Sequence, residues 1–157
     1  IVNPERIHVL ASGETFVLNA TQKNKIRMEE MIFNLGEKAV SEHYTGDVYI
    51  SGLLQNTEYD INQLAFEPGC HNDWHIHPDA SQVLLILEGE GYYQEEGKPK
   101  RVIRKGDVIK TEPNVKHWHG ATPDSHLVHL SITDRSEKEH IQWHGKVDST
   151  EYLKPIK

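Results

Sequence analysis

Two pairs of histidines carry the clearest chemical signal in this sequence. His75 and His77 are separated by one residue, and so are His117 and His119. Residues i and i+2 of a β-strand project from the same face, so each pair presents two imidazoles to one side of its strand. Imidazole nitrogen is the commonest protein metal ligand and binds zinc at ~2.0–2.1 Å. One such pair is often incidental, but two in one chain predict a metal site.

A further histidine, His129, interrupts the apolar segment Leu127–Ile132. A buried neutral histidine that hydrogen-bonds to the backbone is the simpler interpretation. Since His119 is also expected to face the interior, however, both histidines would lie near the metal ion. We therefore predict that His119 and His129 form a catalytic acid/base pair. Tyr44 and Gln63 are further candidates for the rim of the cavity.

The elements that must position these side chains are short strands. From Gly46 onward, apolar segments alternate with turn signals at roughly ten-residue spacing, which indicates an all-β sandwich or barrel. Inward positions of separate strands converge inside a small barrel, so this fold would bring the histidine pairs together. A turn is expected at Glu88–Gly91. The predicted strands are Val48–Leu53, Asn62–Glu67, Gln82–Glu88, Gly91–Gln94, Arg101–Arg104, Val108–Thr111, His117–Ala121 and Leu127–Ile132.

Helical patterns occur only near the two ends. Apolar residues at spacings of four and three predict a short amphipathic helix over Asn24–Leu35, ended by Gly36. A closing helical turn is predicted at Ser149–Leu153. The chain is accordingly divided into an N-terminal extension (1–40), a β domain (41–135) and a C-terminal tail (136–157).

The spacing around the histidines resembles the two sequence motifs of the cupin family. The first motif reads glycine, five residues, His-x-His, three or four residues, glutamate, six residues, glycine. The second reads glycine, five residues, Pro-x-Gly, two residues, histidine, three residues, asparagine. The matching positions in this chain are Gly69, His75, His77, Gln82 and Gly89 for the first motif, and Gly106, Glu112, Asn114, His117 and Ala121 for the second.

This resemblance implies a jelly-roll-like antiparallel β-barrel that holds one divalent metal ion with His75, His77, Gln82 and His117. The departure at Gln82 is the informative one, since the family has glutamate there. A neutral amide leaves the ion its full charge, which predicts weaker metal binding but a stronger Lewis acid. The alternative is that Gln82 only begins a strand and that three histidines hold the ion.

The residues in and around these two motifs resemble those of one subgroup of single-domain bacterial cupins. These are the carboxymuconolactone-decarboxylase-like cupins, which include manganese-dependent hydroxynitrile lyases. In that subgroup the ligands are three histidines and one glutamine, and the positions of His119 and His129 are implicated in catalysis. The resemblance implies manganese as the metal, with iron, nickel or zinc as alternatives. This chain has one additional residue between His77 and Gln82.

Three functional hypotheses follow. The leading one is a metal-dependent, lyase-like enzyme that cleaves or forms a carbon–carbon bond in a small oxygenated substrate. The second is another cupin enzyme, an iron-dependent dioxygenase or an isomerase. The third is a non-catalytic cupin that binds a metal or a small ligand. The fold alone does not decide among them.

Composition limits the partners. The formal net charge is −7 without a basic stripe, so neither nucleic acid nor an anionic membrane surface is an expected partner. No apolar run approaches the ~20 residues of a membrane span. The single Cys70 excludes an internal disulfide. We expect a homodimer, because strands such as 83–87 are apolar on both faces. No signal peptide is visible, so a cytoplasmic location is expected, with a removed leader before Ile1 as the alternative.

Overall fold

The computed structural model describes residues 7–9, 15–17, 25–56, 58–134 and 140–157, the first two ranges by their backbone only. Short strands with tight turns dominate, as the turn spacing predicted. The strands are β1 (Ile7–Val9), β2 (Thr15–Val17), β3 (Glu37–Lys38), β4 (Tyr44–Thr45), β5 (Val48–Gln55), β6 (Tyr59–Phe66), β7 (His71–Asn72), β8 (His75–Ile76), β9 (Gln82–Glu95), β10 (Arg101–Arg104), β11 (Val108–Thr111), β12 (His117–Ala121), β13 (Leu127–Asp134) and β14 (Gln142–Trp143).

The longest strand, β9, belongs to two sheets. Its first half pairs with β11 and β13, and its second half pairs with β10 and β12, all antiparallel. The first sheet has the order β3–β5–β6–β13–β9–β11. The second has the order β10–β9–β12 and continues through β7 to β4 and through β8 to β14. The predicted all-β antiparallel barrel is confirmed, with the two sheets curled around one interior.

The turn predicted at Glu88–Gly91 is wrong, because β9 runs through it. Gly89 has a φ of +77°, and a Cβ there would lie 1.9 Å from the carbonyl oxygen of His126. The pairing register with β13 shifts at the same level, between Val128 and His129. Glycine inside a strand often marks such a bulge. Here the bulge carries the strand from one sheet to the other instead of ending it.

The helix predicted over Asn24–Leu35 is also wrong for the described residues, which exclude Asn24. Only a single 3-10 turn forms, at Met28–Glu30. Two of the apolar residues that suggested a buried helix face, Met28 and Ile32, instead point to solvent and are 66% and 71% exposed. A short helix that buries no apolar face is marginal in water. The backbone instead leads into β3, which pairs with β5.

The closing helix α1, Ser149–Leu153, is confirmed. The Asp148 carboxylate caps its first turn by accepting backbone N–H bonds. Tyr152 is buried and donates its hydroxyl proton to the carbonyl of Ala121 over 2.7 Å. Lys100 binds the C-terminal end of α1, because its ammonium donates at 2.6–2.9 Å to the carbonyls of Glu151, Tyr152 and Lys154. No helix in the described part of the chain is long and apolar enough to cross a membrane.

Candidate metal centre

Three buried histidines meet inside the barrel. His75 on β8 lies opposite His117 on β12 in the antiparallel register, and His77 follows β8 directly. One ring nitrogen from each of the three lies within 4.8 Å of the others. All three are almost fully buried. This cluster could hold a metal ion, and it consists of the three histidines that the resemblance to the cupin motifs implied.

The hydrogen bonds of two of these rings fix their tautomers. His75 Nδ1 lies 2.9 Å from the carbonyl oxygen of Asp73, and His117 Nδ1 lies 2.8 Å from that of Val115. A carbonyl only accepts, so each Nδ1 carries the proton and each Nε2 keeps its lone pair. Metal-binding histidines are usually oriented in this way. Burial also lowers the pKa of His117 to about 4, which keeps its ring neutral at pH 7.

Gln82 adds a fourth donor beside this cluster. Its Nε2 donates to Ser131 Oγ over 2.8 Å, which directs its carbonyl oxygen toward His117. That Oε1 lies 3.1 Å from His117 Nε2, although neither atom has a proton to offer the other. Two buried lone pairs facing each other are unfavourable unless a cation lies near both. Three imidazoles and an amide oxygen therefore fit a divalent transition metal.

Asn72 orients a second chain of hydrogen bonds. Its Oδ1 accepts from the backbone N–H of His119 over 2.9 Å, which fixes the side-chain amide. Its Nδ2 therefore donates to His119 Nε2, 3.1 Å away. The proton of His119 must then lie on Nδ1, from which it is donated to His129 Nε2 over 3.2 Å. The proton of His129 is left on Nδ1, which is buried without a hydrogen-bond partner.

The two histidines predicted to be catalytic therefore lie in contact, but at different depths. His119 lines the cavity, whereas His129 lies behind it on β13 and is fully buried. Burial lowers the pKa of His119 well below its usual value and that of His129 to about 4. Both nitrogens of His119 are engaged in this arrangement. A substrate proton can reach its Nε2 only by replacing the bond from Asn72.

The cavity beside the cluster has a volume of about 360 Å³, at the small end of ligand sites. One wall is formed by inward side chains of the first sheet. The opposite side carries Tyr44 and Trp143, whose rings lie 6.1 Å apart edge to face. Trp143 lies opposite His75 in the pairing of β14 with β8 and stacks on His43 at 4.2 Å. The C-terminal segment therefore completes the wall next to the metal cluster.

Several residues of this site were not predicted. Ser131 could have been found, because it is two residues from His129 on the same strand and so shares its face. Asn72 and Trp143 have no signal in the sequence, since their contacts come from distant strands. Tyr44 does line the cavity, as expected. Gln63 does not, because it lies on the opposite face of β6, where its amide donates to the carbonyl of Asn34.

Comparison with known proteins agrees with this fold. The family model for the cupin domain (Cupin_2) matches residues 62–133. An (R)-mandelonitrile lyase from Granulicella tundricola is 35% identical over 118 residues, which cover 73% of this chain and 89% of that protein. The chain belongs to the cupin family.

Solved structures show the same architecture. A cupin-like protein from Thermotoga maritima superposes with a TM-score of 0.75 at 40% identity, over 78% of this chain and 95% of that one. A predicted oxalate decarboxylase from the same organism has a TM-score of 0.60 at 24% identity, over 71% of this chain and 98% of that one. The second likeness concerns the fold alone.

Proposed function

We propose that this cupin is a metal-dependent lyase that cleaves a carbon–carbon bond next to a hydroxyl group in a small substrate, as in hydroxynitrile cleavage. His75, His77, His117 and Gln82 hold one divalent ion, with manganese as the first candidate. The observation that carries the proposal is the pair of facing lone pairs on Gln82 Oε1 and His117 Nε2, 3.1 Å apart. The (R)-mandelonitrile lyase from Granulicella tundricola supports the reaction class.

A divalent ion bound by these residues supplies Lewis acidity, which lowers the pKa of a hydroxyl and polarises a carbonyl. The chain itself handles the proton. His119 accepts the substrate proton at Nε2 in place of its bond from Asn72, and it donates from Nδ1 to His129. Because both rings are buried and neutral at pH 7, each is able to accept a proton. Trp143 covers the side of the site next to His75 and restricts the access of water.

The metal ligands are tested by elemental analysis of the purified protein. We expect about one divalent ion per chain, and its loss in the His75→Ala/His77→Ala double variant. His144→Ala is the control, since it removes an exposed imidazole outside the cluster. Unchanged metal content in the double variant would show that the site lies elsewhere.

The reaction is tested with mandelonitrile and the manganese-loaded protein, by following benzaldehyde and cyanide. We expect His119→Ala and His129→Ala each to lower the rate ~10²–10⁴-fold at constant metal content, because each removes part of the proton pathway. His144→Ala, which removes an exposed imidazole, should leave the rate unchanged. Full activity in both variants would remove these histidines from the mechanism. An inactive parent with bound metal would refute the lyase assignment but not the metal site.

We further propose that the protein is a homodimer that pairs through the outer face of the first sheet. Strand alternation puts Ile61, Val83, Leu85, Leu130 and Ile132 on that face, and all five are only half-buried in the described chain. An apolar patch of this kind commonly marks an interface. Light scattering should give about twice the 18.0 kDa of one chain. A value for one chain would contradict the dimer.

A further inference from the structure

We propose that Asp60 selects the substrate, and that the substrate carries a hydrogen-bond donor, best an ammonium group, at the end opposite its metal-binding oxygen. The proposal deepens the proposed function and rests on its metal site. It arises from the position of one carboxylate at the mouth of the cavity. Nothing in the metal chemistry requires a carboxylate there.

The strand register places Asp60 in line with the metal cluster. Thr133 on β13 lies opposite both Asp60 on β6 and Gln82 on β9. These three side chains therefore form one inward-facing row across the first sheet, which Gln55 on β5 extends. Neighbouring strands lie ~4.8 Å apart, so the backbones at 60 and 82 are separated by about 10 Å. All four residues of the row line the cavity.

The rows below this one become progressively less polar. The next contains Ser131 and Asn62, and the one after it contains Leu64 and Ile50, all lining the cavity. Tyr44 lies on the other side, next to Trp143. A ligand that extends from Gln82 to Asp60 therefore crosses Thr133, with Ser131 and Asn62 in the next row and the apolar Leu64 and Ile50 in the row after that. Its two ends meet polar groups of opposite character.

Asp60 has unused capacity to bind a ligand. It is half-buried, and its carboxylate accepts one side-chain hydrogen bond, from Asn62 Nδ2 over 3.2 Å. A carboxylate offers about four lone-pair positions, so several remain. Asp60 forms no ion pair with any described residue. It is the only carboxylate among the described residues lining the cavity, and no lysine or arginine is among them. A donor on the ligand is thus the natural partner, and a cationic one binds most strongly.

The metal end has the opposite preference. Three neutral imidazoles and a neutral amide leave a divalent ion uncompensated, so this end favours an anionic oxygen. The cavity as a whole therefore suits a small molecule with an anionic or ionisable oxygen at one end and a donor at the other. A hydroxynitrile without a second polar group satisfies only the first condition.

The test uses binding and does not depend on turnover. Three benzoates that differ only in the para substituent are titrated calorimetrically into manganese-loaded protein: 4-(aminomethyl)benzoate, 4-(hydroxymethyl)benzoate and 4-ethylbenzoate. We expect the aminomethyl compound to bind at least ~10-fold more tightly than the ethyl compound, with the hydroxymethyl compound between them. Asp60→Asn removes the charge but keeps an acceptor oxygen, so it should abolish the advantage of the aminomethyl over the hydroxymethyl compound and leave the affinity for 4-ethylbenzoate unchanged. Glu58→Gln, which removes an exposed carboxylate of the same hairpin, should keep the order.

The same titrations on metal-free protein separate this inference from the proposed metal site. A donor preference that depends on Asp60 in either form supports the inference, even if mandelonitrile is not cleaved or no metal is retained. Equal affinities for the three compounds in the parent protein would overturn it, as would no binding of any compound to either form. An advantage of the aminomethyl over the hydroxymethyl compound that survives in Asp60→Asn, or disappears in Glu58→Gln, would overturn it too.

Discussion

At the residue scale, Gln82 would set the charge of the proposed metal centre. Gln82→Glu replaces a neutral oxygen donor by a charged one of the same size, while Ser131 Oγ can still bond to it. We expect the affinity for Mn²⁺ to rise by about tenfold and the lyase rate to fall, because a compensated ion is a weaker Lewis acid. Calorimetry and steady-state kinetics measure the two effects.

The comparison variant is Gln82→Leu, which keeps the volume but removes the donor. Its metal affinity should fall by ~10–100-fold, a typical loss for a changed metal environment. If the parent protein, Gln82→Glu and Gln82→Leu all bound Mn²⁺ with the same affinity, the three histidines alone would hold the ion.

Asn72 provides a second residue-scale prediction, because its amide determines which nitrogen of His119 carries the proton. In Asn72→Asp, a carboxylate oxygen faces His119 Nε2 and attracts the proton to it. His119 Nε2 then has no lone pair with which to accept the substrate proton, so the lyase rate should fall by at least ~10². The ¹⁵N shifts of the imidazole report the tautomer directly. Asn34→Asp, an exposed change, should alter neither, and an unchanged tautomer in Asn72→Asp would contradict this role.

The sequence predicted those site residues whose positions follow from strand alternation. His75, His77 and His117 could be found because a two-residue spacing fixes a shared face and because the motif spacing supplied the partner strand. The role of Asn72 could not, since it depends on the backbone N–H of residue 119, 47 positions away in sequence. Such a contact exists only once β7 and β12 pair. Asp60 was missed for the same reason, since the register of three strands puts it in line with Gln82.

At the element scale, Lys100 anchors the C-terminal helix. Its ammonium is mostly buried and donates to three carbonyls at the end of α1. Lys100→Met keeps much of the side-chain volume but leaves these carbonyls without a donor. We expect a loss of about 2 kcal/mol in the free energy of unfolding, measured with urea. Lys98→Met removes only an exposed ion pair with Glu95 and should cost under ~1 kcal/mol. Equal losses would show that Lys100 has no special role.

The elements that were predicted wrongly share a physical cause. Asn24–Leu35 has helical spacing, but the position of its apolar side chains depends on what lies opposite them, which a local pattern cannot specify. The glycines at 89 and 91 do mark a change of direction, as the turn prediction assumed. Whether such a change reverses a chain or only bends it depends on the neighbouring strands. Strand β9 is continuous because β13 pairs with it before the bend and β12 pairs with it after the bend.

At the scale of the whole molecule, the proposed ion connects the two sheets. Gln82 belongs to the part of β9 in the first sheet, whereas His75 and His117 belong to the second. A ligand that binds only the folded state at 100 times its Kd stabilises that state by about 2.7 kcal/mol. For a chain of this size, that corresponds to a Tm increase of about 5–10 °C. Calorimetry with Mn²⁺ and then with a chelator should show the increase and its reversal.

The variant His75→Ala/His77→Ala is the control for this effect, since it should melt at the same temperature with and without Mn²⁺. A metal-dependent increase that survives in the variant would place the stabilising ion elsewhere on the chain.

The sharing of β9 between the sheets also affects how the protein is made. All the strands that flank β9 in the two sheets, from β10 to β13, follow it in the sequence. After β9 has been synthesised, the ribosome must add about 40 more residues before β13 is complete. This takes roughly 2–8 s at ordinary elongation rates. During that interval the apolar segment 83–87 cannot acquire its full set of neighbours. The nascent chain is therefore exposed to aggregation late in its synthesis, and a chaperone would be most useful to it then.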